Sequence, residues 1–235
     1  MRLSRDIALK IHWVFDQLVP PILRDMKWFM FIPLTICFRQ KAPLFMKFKE
    51  EAYKLTDEEY KYYYRETGKV SFERDSDLNQ KSIELIKQNI VGKKLLEVGC
   101  GKGYLSNMIA EDSNIDITAV DILIDRKKLK DTKNLKFIEA NVLNLPFADK
   151  AFDTVICTHT LEHVIHLQNA IEELRRVANR LVIVTPRQRP YKYTFDLHIN
   201  FFPYLNSFLL VMGKEGKNVI CIDADGDIFY TEDVA

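Results

Sequence analysis

Five short apolar runs in the second half of the chain constrain the fold most: "KLLEVG", "IDITAVD", "LKFIEA", "FDTVICT" and "RLVIVTP". Each is apolar nearly throughout rather than alternating, as a parallel strand covered on both faces requires. Between the fourth and fifth, Leu167, Ala170, Ile171, Leu174 and Val177 recur at helical spacing, so a helix lays one stripe on the sheet. Strands alternating with helices predict an α/β, doubly wound, mostly parallel sheet. Near the end, Asp225-Gly226 separates two β-prone runs and predicts an antiparallel hairpin, bringing the sheet to seven strands.

The first 92 residues have a different texture. Helical stretches are broken at Pro20-Pro21, Pro33 and Pro43, and no glycine precedes Gly68. The expected division is therefore a helical extension or cap over 1–92 and an α/β domain over 93–235. The chain has 235 residues, 47% hydrophobic and 29% charged, enough to bury one substantial core. A formal net charge of +1 argues against a nucleic acid as partner and for a small molecule. Cys37, Cys100, Cys157 and Cys221 show no C-x-x-C spacing, which suits reduced thiols in a cytoplasmic protein.

Charges at Arg2, Arg5, Asp6, Lys10 and Asp16 interrupt any signal-peptide core. The most apolar window, Trp28 to Phe38, is too short to span a bilayer and contains Pro33. Flanking Arg24, Lys27, Arg39 and Lys41 leave peripheral membrane contact as a use of it, beside packing on the core or on a second subunit.

The first run ends in Glu97-Val98-Gly99-Cys100-Gly101-Lys102-Gly103 and passes into a helix at Tyr104. Glycines at a strand-to-helix junction let a ligand lie against the main chain, with helix-start N–H groups facing it. The second strand ends in Asp121, eighteen positions beyond Gly103, where a carboxylate accepts both hydroxyls of a ribose. A nucleoside cofactor is expected. Tyr104 stands where a dinucleotide fingerprint has a third glycine or alanine, and Glu97 would repel a pyrophosphate, so a cationic ligand fits better.

Glu97, Gly99, Gly101 and Gly103 match E/D-x-G-x-G-x-G, and on these residues the chain resembles the class I S-adenosylmethionine-dependent methyltransferases, in their small-molecule, "methyltransferase type 11"-like branch. "ANVLNLPFADKAFDTVIC" and "THTLEHV" extend the resemblance over about residues 93 to 232. It implies the family's Rossmann-like fold and S-adenosylmethionine as cofactor. It further implies a cofactor site of Glu97, Gly99, Cys100, Gly101, Gly103, Asp121, Ile122, Asn141, Val142 and Thr158, with Asn141 and Val142 meeting the adenine.

Methyl transfer to a hydroxyl needs a base, and histidine suits this near neutral pH. His159 and His163 follow the fourth strand; His159 is the first candidate, and His163 serves equally well as an organiser of its loop. His198, in "LHINFF", resembles a pocket-wall segment of the family and competes. His166 reads as a surface residue and His12 as remote. A metal is not expected; its ligands would be His159, Glu162 and His163, by analogy with the E-x-x-E-H segment of quinone-biosynthesis O-methyltransferases. The tyrosine-rich stretch from residue 60 to 79, with Arg65 and Arg74, is either lid material or a stripe packed on the core. The expected acceptor is a small-molecule hydroxyl. A sugar or nucleotide-sugar, as in polysaccharide biosynthesis, comes before a quinone or lipid-like phenol, and a non-catalytic cofactor-binding protein is the rival class.

Overall fold

A computed structural model describes residues 13–15, 18–70, 76–213 and 216–234. Arg2, Arg5, Asp6, Lys10, His12, Asp16 and Arg74 lie outside the described residues. The helices are Pro21–Arg24 (α1), Lys27–Phe38 (α2), Ala42–Glu51 (α3), Asp57–Gly68 (α4), Gln80–Asn89 (α5), Tyr104–Asp112 (α6), Leu167–Val177 (α7) and Leu205–Met212 (α8). The strands are Lys94–Val98 (β1), Asp116–Asp121 (β2), Leu135–Glu139 (β3), Phe152–Thr158 (β4), Ala178–Pro186 (β5), Lys217–Ala224 (β6) and Asp227–Asp233 (β7). The chain forms two compact units, residues 75–187 with 202–235 and residues 1–74 with 188–201.

In the first unit the strands make one sheet in the order β3-β2-β1-β4-β5-β7-β6. β1 to β5 are parallel, and β7 runs antiparallel between β5 and β6. This is the expected doubly wound α/β sheet with a closing hairpin. Alternate residues feed two cores, one on each face. Leu96, Val98, Val155, Cys157, Leu181 and Ile183 pack with Ile171 and Leu174 of α7 and Phe208 of α8. Leu95, Ile156, Val182 and Val184 pack with Ile83 and Ile86 of α5 and Leu105 and Ile109 of α6. A strand apolar at successive positions is therefore the one a two-sided sheet needs.

The β6–β7 hairpin turns on Asp225 and Gly226, with φ of 54° and 96°. Two successive positive φ values match the right-handed twist of the flanking strands, which is why Asp-Gly stands there. β7 is then locked to α7 through a buried ion pair. Arg175 donates from Nε to Glu232 Oε1 at 2.7 Å and from Nη2 to Glu232 Oε2 at 3.1 Å. A further Nη2 bond reaches the Met212 carbonyl at 2.7 Å, and the Tyr230 hydroxyl donates to Glu232 Oε2 at 2.9 Å.

The second unit has its own core. Met30, Leu34, Phe38, Phe45, Met46 and Phe48 pack with Tyr191, Tyr193, Phe195 and Leu197 of the 188–201 segment. Phe38 stacks on Phe45 with ring centroids 3.9 Å apart. α4 begins at a capping box, in which the Thr56 N–H donates to Glu59 Oε2 at 2.8 Å and the Thr56 hydroxyl accepts from the Glu59 N–H. Tyr60 and Tyr63 lie against Phe48, with centroids 5.7 and 5.3 Å away, so the tyrosine stripe packs within this unit. The division does not fall at residue 92. α5 joins the sheet unit because Ile83 and Ile86 bury against it, and 188–201 joins the helical unit because its aromatics complete that core.

Arg175→Ala would leave Glu232 charged and buried without its partner. Urea unfolding should show a loss of about 3–5 kcal/mol, with Arg175→Met costing less because its stem still fills the space; a loss below about 1 kcal/mol would mean that the pair does not hold α7 to β7.

Candidate active site

β1 lies between β2 and β4, and the strand order reverses there, so the loops leaving β1 and β4 diverge over the carboxyl edge of the sheet. Val98 is level with Val120 and Cys157, which puts Gly99–Gly103, Asp121 and His159 along one edge.

The three glycines of the first loop have φ of 77°, 51° and 70° at Gly99, Gly101 and Gly103, but different surroundings. A Cβ on Gly99 would sit 1.8 Å from Thr160 Oγ1, and one on Gly103 would sit 2.9 Å from Leu129 and Phe137. A Cβ on Gly101 would meet nothing within 4 Å. The outer two glycines admit neighbouring protein, and the middle one borders open space. The loop is anchored by Gly99 and Cys100 N–H bonds to the Val120 carbonyl, 2.8 and 3.0 Å. The Gly101 N–H donates to Asp121 Oδ2 at 2.8 Å, and the Leu123 N–H to Asp121 Oδ1 at 3.1 Å.

Two carboxylates back this loop. Glu97 is buried and accepts from the Ser106 hydroxyl. Burial pushes its carboxyl up to about 7, with the Ser106 bond opposing and the Asp121 charge adding. Asp121 is also raised by burial, opposed by the Gly101, Leu123 and Ile122 amides and by His163.

Beyond β3, Asn141 forms a turn in which its Oδ1 accepts from the Leu143 N–H at 3.0 Å, and Val142 is buried beside it. Thr158 closes β4, buried. His159 follows with a φ of 45° and an N–H bond to the Val184 carbonyl at 2.9 Å. Its ring lies between two carboxylates, with Nδ1 3.5 Å from Glu162 Oε1 and Nε2 3.6 Å from Asp227 Oδ2. Burial alone would lower its pKa, but Asp227 and Glu162 overcome this and hold it up at about 9. Beside Asp227 and Glu162 the ring favours its protonated form, in which it offers no lone pair to a hydroxyl proton. Asp227 also accepts from Asn79 Nδ2 at 3.0 Å and Ser82 Oγ at 3.1 Å, tying the start of α5 to the same cluster.

His163 stands in the one-turn helix Leu161–His163, its N–H bonded to the Thr160 carbonyl at 2.9 Å. His198 belongs to the other unit. There its Nδ1 is 2.5 Å from Gln188 Oε1 and 3.3 Å from Asp196 Oδ2, two acceptors that place the proton on Nδ1 and make Nε2 the basic atom.

Ser106, Thr160 and Asp227 escaped the sequence reading. Ser106 and Thr160 are ordinary helix and loop residues whose partners come from other strand ends. Asp227 follows a readable Asp-Gly turn, yet only the antiparallel insertion of β7 beside β5 brings it to His159.

Residues 96–181 match the family described as "Methyltransferase domain". An uncharacterised protein of Methanocaldococcus jannaschii is 37% identical over 108 residues, 43% of this chain and 46% of that one. A demethylmenaquinone methyltransferase of Paenarthrobacter aurescens is 35% identical over 98 residues, 40% of this chain and 38% of that one. The chain thus spans less than half the length of these two curated relatives. The solved structure of a SAM-dependent methyltransferase from Aquifex aeolicus has a TM-score of 0.53 at 15% identity, over 77% of this chain and 100% of that one, a likeness of fold.

The sheet unit thus carries a methyltransferase domain over residues 96–181, on the fold of a SAM-dependent methyltransferase. Its cofactor is S-adenosylmethionine, and the residues of this methyltransferase unit fit it. Gly101 leaves open space where main chain can meet a ligand, and the two carboxylates suit a cation carrying a ribose and would repel a pyrophosphate.

The glycines separate by test. Gly101→Ala should keep the fold, at a cost of about 1 kcal/mol for a positive φ, and lose cofactor binding. Gly99→Ala should cost several times more in thermal stability, because Thr160 must also move; equal melting temperatures for the two would refute the assignment.

Glu97 generates a pH dependence. Its folded pKa of about 7 exceeds its ordinary 4.5, so the folded state holds the extra proton and stability falls as pH rises across that window. Glu97→Gln lacks this loss and should melt a few degrees higher than the parent at pH 8, the gap closing toward pH 5. A gap independent of pH would show that Glu97 titrates normally.

Proposed function

We propose that this chain transfers the methyl group of S-adenosylmethionine to a hydroxyl of a small molecule, a phenolic or quinol-type ring before a sugar or nucleotide-sugar. The observation that carries the reading is the Gly101 amide bonded to Asp121 with open space where its Cβ would be. Asp121 would take the ribose hydroxyls, and Ile122, Val142 and the Asn141 amide nitrogen the adenine, with Cys100 and Thr158 completing the walls. Glu97 would favour the cation. When bound, the cofactor supplies an electrophilic methyl group on sulfur. The chain's own work is to hold the acceptor in line and receive its proton.

Two of the three histidines, His163 and His198, are the candidates for the proton, each to be tested by substitution. His159, held charged between Glu162 and Asp227, suits the role of fixing the loop after β4. A ring acceptor is favoured by the demethylmenaquinone methyltransferase among the relatives.

Calorimetric titration should detect S-adenosylhomocysteine and not NAD; NAD alone would overturn the reading. Formation of S-adenosylhomocysteine should be measured with hydroquinones in one arm and nucleotide-sugars in the other, turnover in the second arm alone reversing the acceptor order. His163→Gln or His198→Gln, whichever residue takes the proton, should lower kcat by about 10²–10⁴ with cofactor affinity unchanged. An unaltered rate in either variant would remove that histidine from the role, and no turnover with any acceptor would favour the non-catalytic class.

A further inference from the structure

The helical unit presents an apolar face that its own core does not use. In α2, Met30, Leu34 and Phe38 are buried. At 100° per residue Ile32 and Ile36, 56 and 75% exposed, fall on the opposite side, with Trp28 and Phe31, 65 and 47% exposed, on the flank between. α2 is therefore apolar on both sides, whereas a helix at the surface of a soluble domain keeps its outer side polar. Leu18 and Ile22, just before it, are 65 and 68% exposed as well.

Charge says what covers this face. From Met26 to Lys49 the sequence holds Lys27, Arg39, Lys41, Lys47 and Lys49 and not one acidic residue. Lys27 at the first turn of α2 and Arg39 just past its last are themselves exposed, as is Lys47. Lys41 is paired with Glu66, and Lys49 is turned to the Tyr191 carbonyl and the Phe201 ring, so neither counts toward the rim. A second copy of the chain is a poor occupant, because apposing two such helices in either direction sets cation against cation at both ends. An anionic lipid surface satisfies both features, with apolar side chains entering the acyl boundary and cations meeting headgroups. Among the described residues no helix is long and apolar enough to cross a membrane. At a length of about 18 Å, α2 would lie in the plane of the interface.

We infer that the exposed face of α2, rimmed by Lys27 and Arg39, docks the protein on an anionic membrane surface. The inference is independent of which hydroxyl is methylated. Trp28 sits at the N-terminal end of the stripe, where an indole reaches headgroup level.

The test uses the full chain with vesicles of phosphatidylcholine, with and without phosphatidylglycerol. Sedimentation should show binding to the anionic vesicles, at least tenfold weaker to the neutral ones, and weakened by salt. With Trp13→Phe to isolate Trp28, emission should shift to the blue on binding. Ile36→Asp should cut binding roughly tenfold or more, and Lys27→Glu with Arg39→Glu should abolish the preference for anionic lipid. All three positions are exposed, so melting temperature and S-adenosylhomocysteine affinity should not change; that control separates loss of docking from loss of fold or cofactor. Absence of binding to either vesicle would overturn the inference, as would binding indifferent to Ile36→Asp, or a solution dimer that Ile36→Asp dissolves.

Discussion

The approach of Thr160 to Gly99 is the constraint on which the site depends. A reversal of strand order opens a crevice above the sheet, but a crevice is only useful if its walls are fixed. One wall is the loop after β1, the other the loop after β4. They meet where Thr160 Oγ1 occupies the volume a Gly99 side chain would need. The same hydroxyl bonds the Thr158 carbonyl at 2.9 Å, so the missing methyl in one loop is filled by a turn-forming group in the other. With those loops in van der Waals contact, Gly101 is left to face outward.

Electrostatics follow from that packing. Glu97 points into the protein rather than into water, and among the described residues Ser106 is the side chain that hydrogen-bonds it. A carboxyl so placed is held near neutrality, poised to ionise when a positive ligand arrives, a mode of recognition that a surface aspartate with an ordinary pKa does not offer. His159 shows the opposite arrangement. Two carboxylates surround a buried imidazole, and a cation in that position strengthens the loop at neutral pH and loses that role as pH rises through about 9. One site thus contains an acid kept near its midpoint and a base kept protonated.

The sheet was legible because its signal is local. Apolar runs, an interleaved helical stripe and the Asp225-Gly226 turn each report on their own residues, and all of them form as read. The glycine loop was legible in kind but not in cause, since the spacing says that side chains are missing without saying that two of the three are displaced by protein. The charge state of His159 was not legible at all. "THTLEHV" puts Glu162 within reach, but the second carboxylate arrives from Asp227, sixty-eight positions later, through an antiparallel strand. The boundary at residue 92 fails for a related reason: change of texture marks where strands begin, whereas compactness is decided by which core a helix buries its stripe in, and α5 buries Ile83 and Ile86 under the sheet.

The 188–201 segment carries this one step further. It leaves the sheet after β5 and spends Tyr191, Tyr193, Phe195 and Leu197 on the core of the helical unit, so that unit is not a simple N-terminal appendage. A chain that crosses between units three times ties their folding together, because neither core is complete until residues distant in sequence have arrived. The same four residues bear on the surroundings of His198. Tyr191, Tyr193, Phe195 and Leu197 fix the backbone on which Gln188 and Asp196 stand, and those two acceptors hold Nδ1. The surroundings of this imidazole are thus set by neighbours along the aromatic segment, which no spacing rule in "LHINFF" encodes.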